Sequence, residues 1–126
     1  MLCPKCKSAF ESVTYENIEV DRCTNCKGIW FDILEQEDLK KIEGSETIDI
    51  GDGYIGEKYN QLRKINCPSC NVKMLTMIDK DQFHIKYESC PRCFGTFFDA
   101  GEFKDYKEST IVERFTQMVE TLRSNL

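Results

Sequence analysis

The chain has 126 residues, of which 31% are charged and 40% hydrophobic, and its formal net charge is −5. No apolar run is long enough to span a membrane, so the composition is that of a soluble globular protein. The acidic charge excludes the general electrostatic attraction to phosphate that supports non-specific nucleic-acid binding.

The eight cysteines form four Cys-x-x-Cys pairs with none left over: Cys3/Cys6, Cys23/Cys26, Cys67/Cys70 and Cys90/Cys93. Two successive pairs supply four thiolates, which fill the tetrahedral shell of a structural zinc ion. Paired motifs at this separation are a strong zinc signal. We therefore predict two zinc ions, each held by four cysteines. Because a repeat of about 40 residues rarely holds a sufficient core, the metal should supply much of the folding free energy.

Three other uses of the cysteines stay open. A disulfide framework requires an oxidising compartment, but Met1-Leu2-Cys3 enters the first pair at once and shows no signal peptide. A redox dithiol is expected as one Cys-x-x-Cys on a thioredoxin-like βαβ unit. An iron–sulfur cluster uses the same four-thiolate shell as zinc. We expect a cytoplasmic protein in which the thiols stay reduced.

The cysteine pairs belong to an internal repeat. Cys3-Pro4-Lys5-Cys6 matches Cys67-Pro68-Ser69-Cys70, and residues 23–32 match residues 90–99. The pairs are separated by 16 residues in the first copy and by 19 in the second, and a longer hairpin turn accommodates this difference. The repetition predicts two copies of one small unit, each closing its own metal site.

In the first copy, the Cys3–Cys6 knuckle is followed by a predicted strand at Ala9–Tyr15, a turn at Glu16-Asn17 and a return strand at Ile18–Arg22. In the second copy, Met74–Ile78 is one strand and residues 79–82 form the turn. The return strand alternates, with Phe83, Ile85 and Tyr87 on one side and His84, Lys86 and Glu88 on the other.

A helix should follow each ribbon. Asp32-x-x-Glu35 and Asp99-x-x-Glu102 both resemble capping boxes, in which the Asp and Glu side chains satisfy early amides. The first helix should run from Ile33 to Glu43 before Gly44 stops it, and the second from Ala100 to Glu108. Apolar contacts of the first helix should come from Ile33, Leu34, Leu39 and Ile42. The paired carboxylates could instead be catalytic, but caps explain their spacing and repetition.

Several single residues near the second cysteine pair of each repeat, Cys23/Cys26 and Cys90/Cys93, have two interpretations each. Gly28 and Gly95 allow either a positive φ or a close approach of the backbone to sulfur. Trp30 and Phe97 occupy equivalent positions and are interpreted as core residues, the alternative being platforms for stacking bases. His84, the only histidine, is interpreted as a surface residue, because its site already has four thiolates.

Two segments lie outside the repeats. The connector at 44–66 has Gly51, Gly53 and Gly56 in its early part but is too apolar for a free linker. We therefore expect it to dock on a ribbon, with a short helix within Tyr54–Arg63. A peptide-binding edge is the alternative. The C-terminal segment at 109–126 has helical spacing of apolar residues, which predicts an amphipathic helix that packs on the chain, in a homodimer or on a partner. Its stripe consists of Ile111, Phe115, Met118, Val119 and Leu122.

The pattern Cys-Pro-x-Cys, then Cys-x-x-Cys-x-Gly-x-Trp-x-Asp-x-x-Glu, resembles the bacterial zinc fingers grouped as transcription factor IIB-like domains. The resemblance covers residues 3–42 and 67–107. It implies a zinc ribbon followed by a short helix, with the four cysteines of each copy as ligands. The chain departs from the family where Lys27 and Phe94 replace a glycine after the last ligand, where Leu34 replaces a glycine before Glu35, and where Phe97 replaces Trp.

These observations predict a small, metal-stabilised α+β fold divided into 1–43, 44–66, 67–108 and 109–126. The acidic charge, apolar connector and amphipathic tail favour a non-enzymatic module that binds proteins, in a role such as that of a transcription-associated adaptor. The alternative is a nucleic-acid-binding regulator that uses the basic residues of the first ribbon: Lys5, Lys7, Arg22 and Lys27. A metal-dependent or redox enzyme would need an open metal site or labile thiols.

Overall fold

The computed structural model describes residues 1–62, 64–78, 85–107, 119 and 121–124. Within these ranges, six strands form one antiparallel sheet in the order β1-β2-β3-β6-β5-β4. The strands are β1 (Phe10–Tyr15), β2 (Ile18–Cys23), β3 (Ile29–Phe31), β4 (Leu75–Ile78), β5 (Lys86–Ser89) and β6 (Thr96–Phe98). Each repeat supplies three neighbouring strands, so the small α+β fold is built around a single sheet.

The two repeats meet at β3 and β6, the third strands of the two ribbons. Trp30 pairs with Phe97 at the centre of this ladder, flanked by Ile29 opposite Phe98 and Phe31 opposite Thr96. The pairing is therefore symmetric about the two equivalent aromatic residues. The sequence predicted only a hairpin in each repeat, because a three-residue run is too short to be recognised as a strand.

Side chains alternate across a strand, and this alternation divides the interior into two cores. On one face, Trp30 and Phe97 pack with the cysteines and with Ile65 and Met74. On the other face lie the remaining large side chains: Val20, Ile29, Phe31, Leu39, Ile48, Ile85, Phe98, Phe103 and Tyr106. Trp30 is 1% exposed and Phe97 is 0% exposed, which confirms that both aromatics are core residues.

The first hairpin is confirmed to within one residue at each outer end. Tyr15 pairs directly with Ile18, so Glu16 and Asn17 form a two-residue turn. Both turn residues have positive φ, 49° and 68°, as the tight turn that matches strand twist requires. In the second hairpin, β4 pairs with β5, while the predicted turn and His84 lie outside the described residues.

The first helix, α1 (Glu35–Lys40), is shorter than predicted. Leu34 has a left-handed φ of 65°, so the helix cannot begin before Glu35. The prediction that Ile33 and Leu34 pack in the core is wrong, because they are 54% and 59% exposed. Leu39 is buried as expected. The prediction that Gly44 stops the helix is wrong, because α1 ends at Lys40, and Gly44, with a φ of 84°, instead precedes a 3₁₀ turn at Ser45–Ile48.

Only the glutamate half of the first capping box forms. The Asp32 amide donates to Glu35 Oε1 at 2.8 Å. The Asp32 carboxylate instead accepts from the Trp30 indole Nε1 at 3.3 Å. The aspartate therefore ties the helix start to the central aromatic of the sheet.

The connector contacts both repeats, through the Tyr59 carbonyl to Lys5 and through Gly56 to Ala100. It contains a 3₁₀ turn (Ser45–Ile48) and helix α2 (Gly53–Asn60), whose first turn is capped by Asp52 Oδ1 accepting from the Tyr54 amide at 2.9 Å. Gly56 lies on the backbone of Ala100, where an added Cβ would come within 1.9 Å of the carbonyl oxygen. Glycine is required for this close approach of α2 to the second repeat.

Helix α3 is described over residues 102–107. Its N-terminal amides are bound by the connector: Asp49 accepts from the Gly101 amide at 2.9 Å and from the Lys104 amide at 3.0 Å. The predicted cap residue, Asp99, directs Oδ2 towards Lys5 Nζ at 3.2 Å. Burial raises the pKa of Asp49, although the two amides oppose this shift.

At the C-terminus, residues 119 and 121–124 are helical and Leu122 is 60% exposed. Ile111, Phe115 and Met118 of the predicted stripe lie outside the described residues. Among the helices that the structure describes, none combines the length and apolarity needed to cross a bilayer.

Candidate metal centres

The predicted ligands come together in two groups of four. Cys3, Cys6, Cys23 and Cys26 form the first group, and Cys67, Cys70, Cys90 and Cys93 form the second. Within each group, all Sγ atoms lie within 4.8 Å of one another. The groups follow the repeat order, so the ligands are not interleaved between repeats.

Sulfur separations in both groups suit a single tetrahedral zinc ion. Sγ atoms lie 3.7 Å apart for Cys3 and Cys26, 3.3 Å for Cys6 and Cys23, and 3.7 Å for Cys67 and Cys93. Zn–S bonds of about 2.3 Å in a tetrahedron place sulfurs about 3.8 Å apart. All eight cysteines are free thiols. The donor sets therefore fit two zinc sites of four cysteines each.

The backbone of every knuckle turns at the residue after its second cysteine. These residues all have a left-handed φ: 64° at Lys7, 63° at Lys27, 57° at Asn71 and 62° at Phe94. The same residues close the turns, since the Lys7, Asn71 and Phe94 amides donate to the carbonyls of Cys3, Cys67 and Cys90 at 2.9–3.0 Å. The positive φ considered for Gly28 and Gly95 thus falls one residue earlier, on non-glycine residues.

Gly28 and Gly95 instead make room for aromatic rings of the opposite repeat. A Cβ on Gly28 would lie 2.3 Å from Phe97 Cζ, and a Cβ on Gly95 would lie 2.3 Å from Trp30 Cζ2. The close approach that the sequence indicated is therefore to a ring rather than to sulfur. The Cys23/Cys26 and Cys90/Cys93 knuckles are therefore each packed against the central aromatic of the other ribbon.

Backbone amides surround the sulfurs of the second site. The Cys70 amide lies 3.2 Å from Cys67 Sγ, and the Cys93 and Arg92 amides lie 3.4 Å from Cys90 Sγ. Burial opposes ionisation of Cys90, but these two amides lower its pKa to about 7. Burial raises the pKa of Cys67 to about 12. Since zinc requires all four thiolates, metal binding would release the protons that remain on such buried thiols.

In the first site, the sulfurs of Cys3 and Cys26 are hydrogen-bonded, 3.7 Å apart. This bond lowers the pKa of Cys3 to about 5 against the opposing effect of burial, and it raises the pKa of Cys26.

The transcription factor zinc-finger family model matches residues 2–42 and 66–109, which together make up more than half of the chain. The chain belongs to this family. No curated protein and no solved structure matches it. The two matched segments each contain one of the four-cysteine groups, so the chain carries two zinc-finger units in tandem.

Three positions at which this chain departs from a glycine of the family pattern have a left-handed backbone conformation. Lys27, Leu34 and Phe94 replace glycine, and they have φ values of 63°, 65° and 62°. Gly101, the equivalent of Leu34 in the second unit, has a φ of 87°. A left-handed conformation costs an L-residue about 1–2 kcal/mol, so the surrounding fold imposes the conformation at these three positions.

A buried ion cluster links the two zinc-finger units and was not foreseen from the sequence. Lys5 Nζ donates to Glu88 Oε1 at 2.7 Å and to Asp99 Oδ2 at 3.2 Å, and the Lys5 and Glu88 side chains are fully buried. It also donates to the carbonyls of Tyr59 and Leu62 at 2.9 and 2.7 Å. The first knuckle is thereby fastened to both the connector and the second unit.

Comparison of the two repeats contained a signal for this cluster. Carboxylates recur at equivalent positions, Asp21 with Glu88 and Asp32 with Asp99, although only the helix-cap interpretation was drawn from the second pair. The knuckles differ, since Lys5 in the first corresponds to Ser69 in the second. Lys5 and the repeated acids predict a buried ion cluster only when it is known that the two repeats pair side by side in one sheet.

The other basic residues of the first ribbon are also engaged within the fold. Arg22 Nε lies 2.8 Å from Glu11 Oε1, and Lys27 Nζ lies 3.5 Å from the same oxygen. The two cations hold the pKa of Glu11 below its ordinary value, with the Arg22 hydrogen bond as the largest cause. Of the four basic residues that the sequence grouped around the first site, Lys7 is the exposed one.

Proposed function

We propose that the protein is a non-enzymatic adaptor that binds other proteins through a rigid tandem zinc-ribbon scaffold. Four thiolates fill the tetrahedral shell of each zinc, so neither metal has a position for a reacting water or substrate. Zinc with a closed shell stabilises a fold. The activity then resides in the surfaces that the scaffold presents.

The edge strand β4 is the observation that carries this proposal. Leu75, Met77 and Ile78 are 53%, 39% and 52% exposed, and β4 is the last strand of the sheet. Its counterpart in the first repeat, β1, has Glu11, Ser12 and Thr14 at the positions equivalent to Leu75, Thr76 and Ile78. Apolar edge strands are sites where another chain adds by backbone pairing, which favours a protein partner.

A second candidate function is supported by one groove. Lys7 and Lys64 are exposed and line an open groove of about 580 Å³ between the first knuckle and the end of the connector, together with Leu62 and Ile65. Two lysines beside apolar side chains could bind the backbone of a single-stranded nucleic acid. The internal pairing of Lys5, Arg22 and Lys27 favours the protein-binding function over this one.

Affinity capture with the zinc-loaded chain at two salt concentrations tests the proposal. We expect proteins from the native cell to be retained at high salt, because apolar contacts are little screened. Binding to labelled oligonucleotides should be weak. The nucleic-acid function would be correct instead if oligonucleotides bound, the affinity fell steeply with salt, and Lys7→Glu/Lys64→Glu abolished binding. A Leu75→Ser/Met77→Ser variant that captured the same proteins as the wild type would exclude β4 as the site.

A further inference from the structure

The internal repeat presents the same surface twice, once in each ribbon. We define the first-ribbon face by Asp21, Asp32, Ile33, Leu34 and Glu35. The second-ribbon face consists of the equivalent residues, Glu88, Asp99, Ala100, Gly101 and Glu102. Strand register confirms the equivalence, because Asp21 pairs with Trp30 as Glu88 pairs with Phe97.

The second-ribbon face is covered by two parts of the chain. Helix α2 lies across it, with Gly56 against the Ala100 backbone and Asn60 Nδ2 donating to Glu102 Oε1 at 3.0 Å. Lys5 supplies the cation, 2.7 Å from Glu88 Oε1. The carbonyls at the end of α2 accept from the same ammonium group. The cover is therefore a helix together with a lysine.

The first-ribbon face has the same acidic groups but lies open. Asp32 is exposed, and Ile33 and Leu34 are 54% and 59% exposed, whereas Asp99 and Ala100 are buried. Ser69, which stands where Lys5 stands in the other knuckle, carries no charge and is exposed. The described part of the chain thus provides a helix and a cation for one face and leaves the other uncovered.

We infer that the first-ribbon face is a docking site for a helical segment of a protein partner, one that presents a lysine or arginine beside an apolar stripe. This inference rests on the proposed adaptor function and adds a docking surface separate from β4, with the partner's chemistry named. The cation would lie between Asp21 and Asp32, as Lys5 lies between Glu88 and Asp99. The apolar stripe would cover Ile33 and Leu34.

The composition of the face selects this occupant over others. Three carboxylates repel a phosphate group, so a nucleic acid is disfavoured. Ile33 and Leu34 are larger than Ala100 and Gly101, so the bound helix would contact side chains where α2 contacts backbone. Burying this apolar pair while neutralising the acids requires both features in one segment.

A tryptophan-free synthetic helical peptide with a leucine stripe flanked by lysines is the probe. Its counterpart carries the same stripe flanked by glutamates. Trp30 is the only tryptophan of the protein and its indole donates to Asp32, so its fluorescence reports on the face. We expect the lysine peptide to bind and to shift the Trp30 emission, and the glutamate peptide to leave it unchanged.

Two variants convert the first-ribbon face towards the second. Ile33→Ala/Leu34→Gly introduces the residues of the covered face without disturbing the left-handed position. Ser69→Lys adds the internal cation. Each should weaken binding of the lysine peptide by about tenfold or more. Thr47→Lys, at an exposed residue of the 3₁₀ turn, is the control, because it changes the net charge equally and should leave the affinity within about twofold of wild type.

Equal weakening by Ser69→Lys and Thr47→Lys would overturn the inference, since binding would then follow the net charge alone. Failure of the lysine peptide to bind would overturn it as well. Self-association of the wild type that Ile33→Ala/Leu34→Gly abolishes would show a second copy as the occupant and exclude the proposed partner. If Ile33→Ala/Leu34→Gly captures the same cellular proteins as the wild type, the first-ribbon face is not the docking site, while the adaptor function stands. If the wild type captures nothing, the adaptor function itself fails.

Discussion

The indole ring of Trp30 lies against Gly95 of the other repeat, where an added Cβ would come within 2.3 Å of Cζ2. The reciprocal contact places the Phe97 ring on Gly28. Because these aromatics also pair across the central ladder, the two zinc-finger units share one interior. The exchange of rings explains why the second cysteine pair of each repeat is followed, two residues after its last cysteine, by a glycine.

Replacing either knuckle glycine should therefore destabilise the whole protein. We expect Gly95→Ala and Gly28→Ala each to lower the free energy of unfolding by about 1–3 kcal/mol, because the ring must shift out of a packed core. Urea denaturation followed by Trp30 fluorescence measures this. Gly53→Ala is the matched control, since nothing lies within 4 Å of a Cβ there. Equal stability of Gly95→Ala and Gly53→Ala would contradict the packing described.

Leu34→Gly should stabilise the protein, contrary to the usual effect of glycine. Leu34 is exposed and has a φ of 65°, so glycine removes backbone strain with little loss of packing. We expect a gain of about 0.5–1 kcal/mol. Ile33→Gly, at a neighbouring exposed residue without positive φ, should instead cost about 0.5–1 kcal/mol. Thermal melting of both variants is the measurement. A lower melting temperature for both variants would contradict the backbone strain at Leu34.

Lys5→Met should be strongly destabilising because it removes the cation between two buried carboxylates. Breaking a buried ion pair in this way costs about 3–5 kcal/mol. Lys7→Met changes the exposed lysine of the same knuckle and should have an effect below about 0.5 kcal/mol. Adding Glu88→Gln and Asp99→Asn to Lys5→Met should recover part of the loss. Chemical denaturation of the series is the measurement, and equal stability of the two single variants would rule out an energetic role for the cluster.

Sequence patterns predicted the features that depend on local chemistry. Cysteine spacing predicted both four-cysteine groups, and the apolar–polar alternation around Glu16-Asn17 predicted the first hairpin. Each of these features is encoded within a few residues, where spacing and turn chemistry decide the conformation.

Features that depend on the pairing of the repeats could not be predicted in this way. Ile29–Phe31 is too short to be recognised as a strand, and it becomes one because Thr96–Phe98 lies beside it. Leu34 was expected in a helix because Asp32-x-x-Glu35 resembles a capping box, but the tertiary structure holds it in a left-handed conformation. Lys5 was assigned to a basic surface, since its partners lie in the other repeat.

Loss of one zinc ligand should weaken both metal sites. The sequence alone predicted that each ribbon closes its own site independently. Both four-cysteine groups, however, pack in one core with Trp30 and Phe97. We therefore expect Cys23→Ser to abolish zinc binding at the first site and to speed chelator-induced release of zinc from the second. Cys90→Ser should abolish zinc binding at the second site and speed its release from the first. Unchanged release of the remaining zinc would show that the two units are energetically independent.

Zinc stoichiometry by native mass spectrometry, with thiol counting under denaturing conditions, tests the central claim most directly. Two zinc ions per chain and eight unoxidised cysteines are the result that two closed four-thiolate sites predict. Fewer than two metals in protein purified under reducing conditions, pairs of cysteines joined as disulfides, or iron in place of zinc would contradict it.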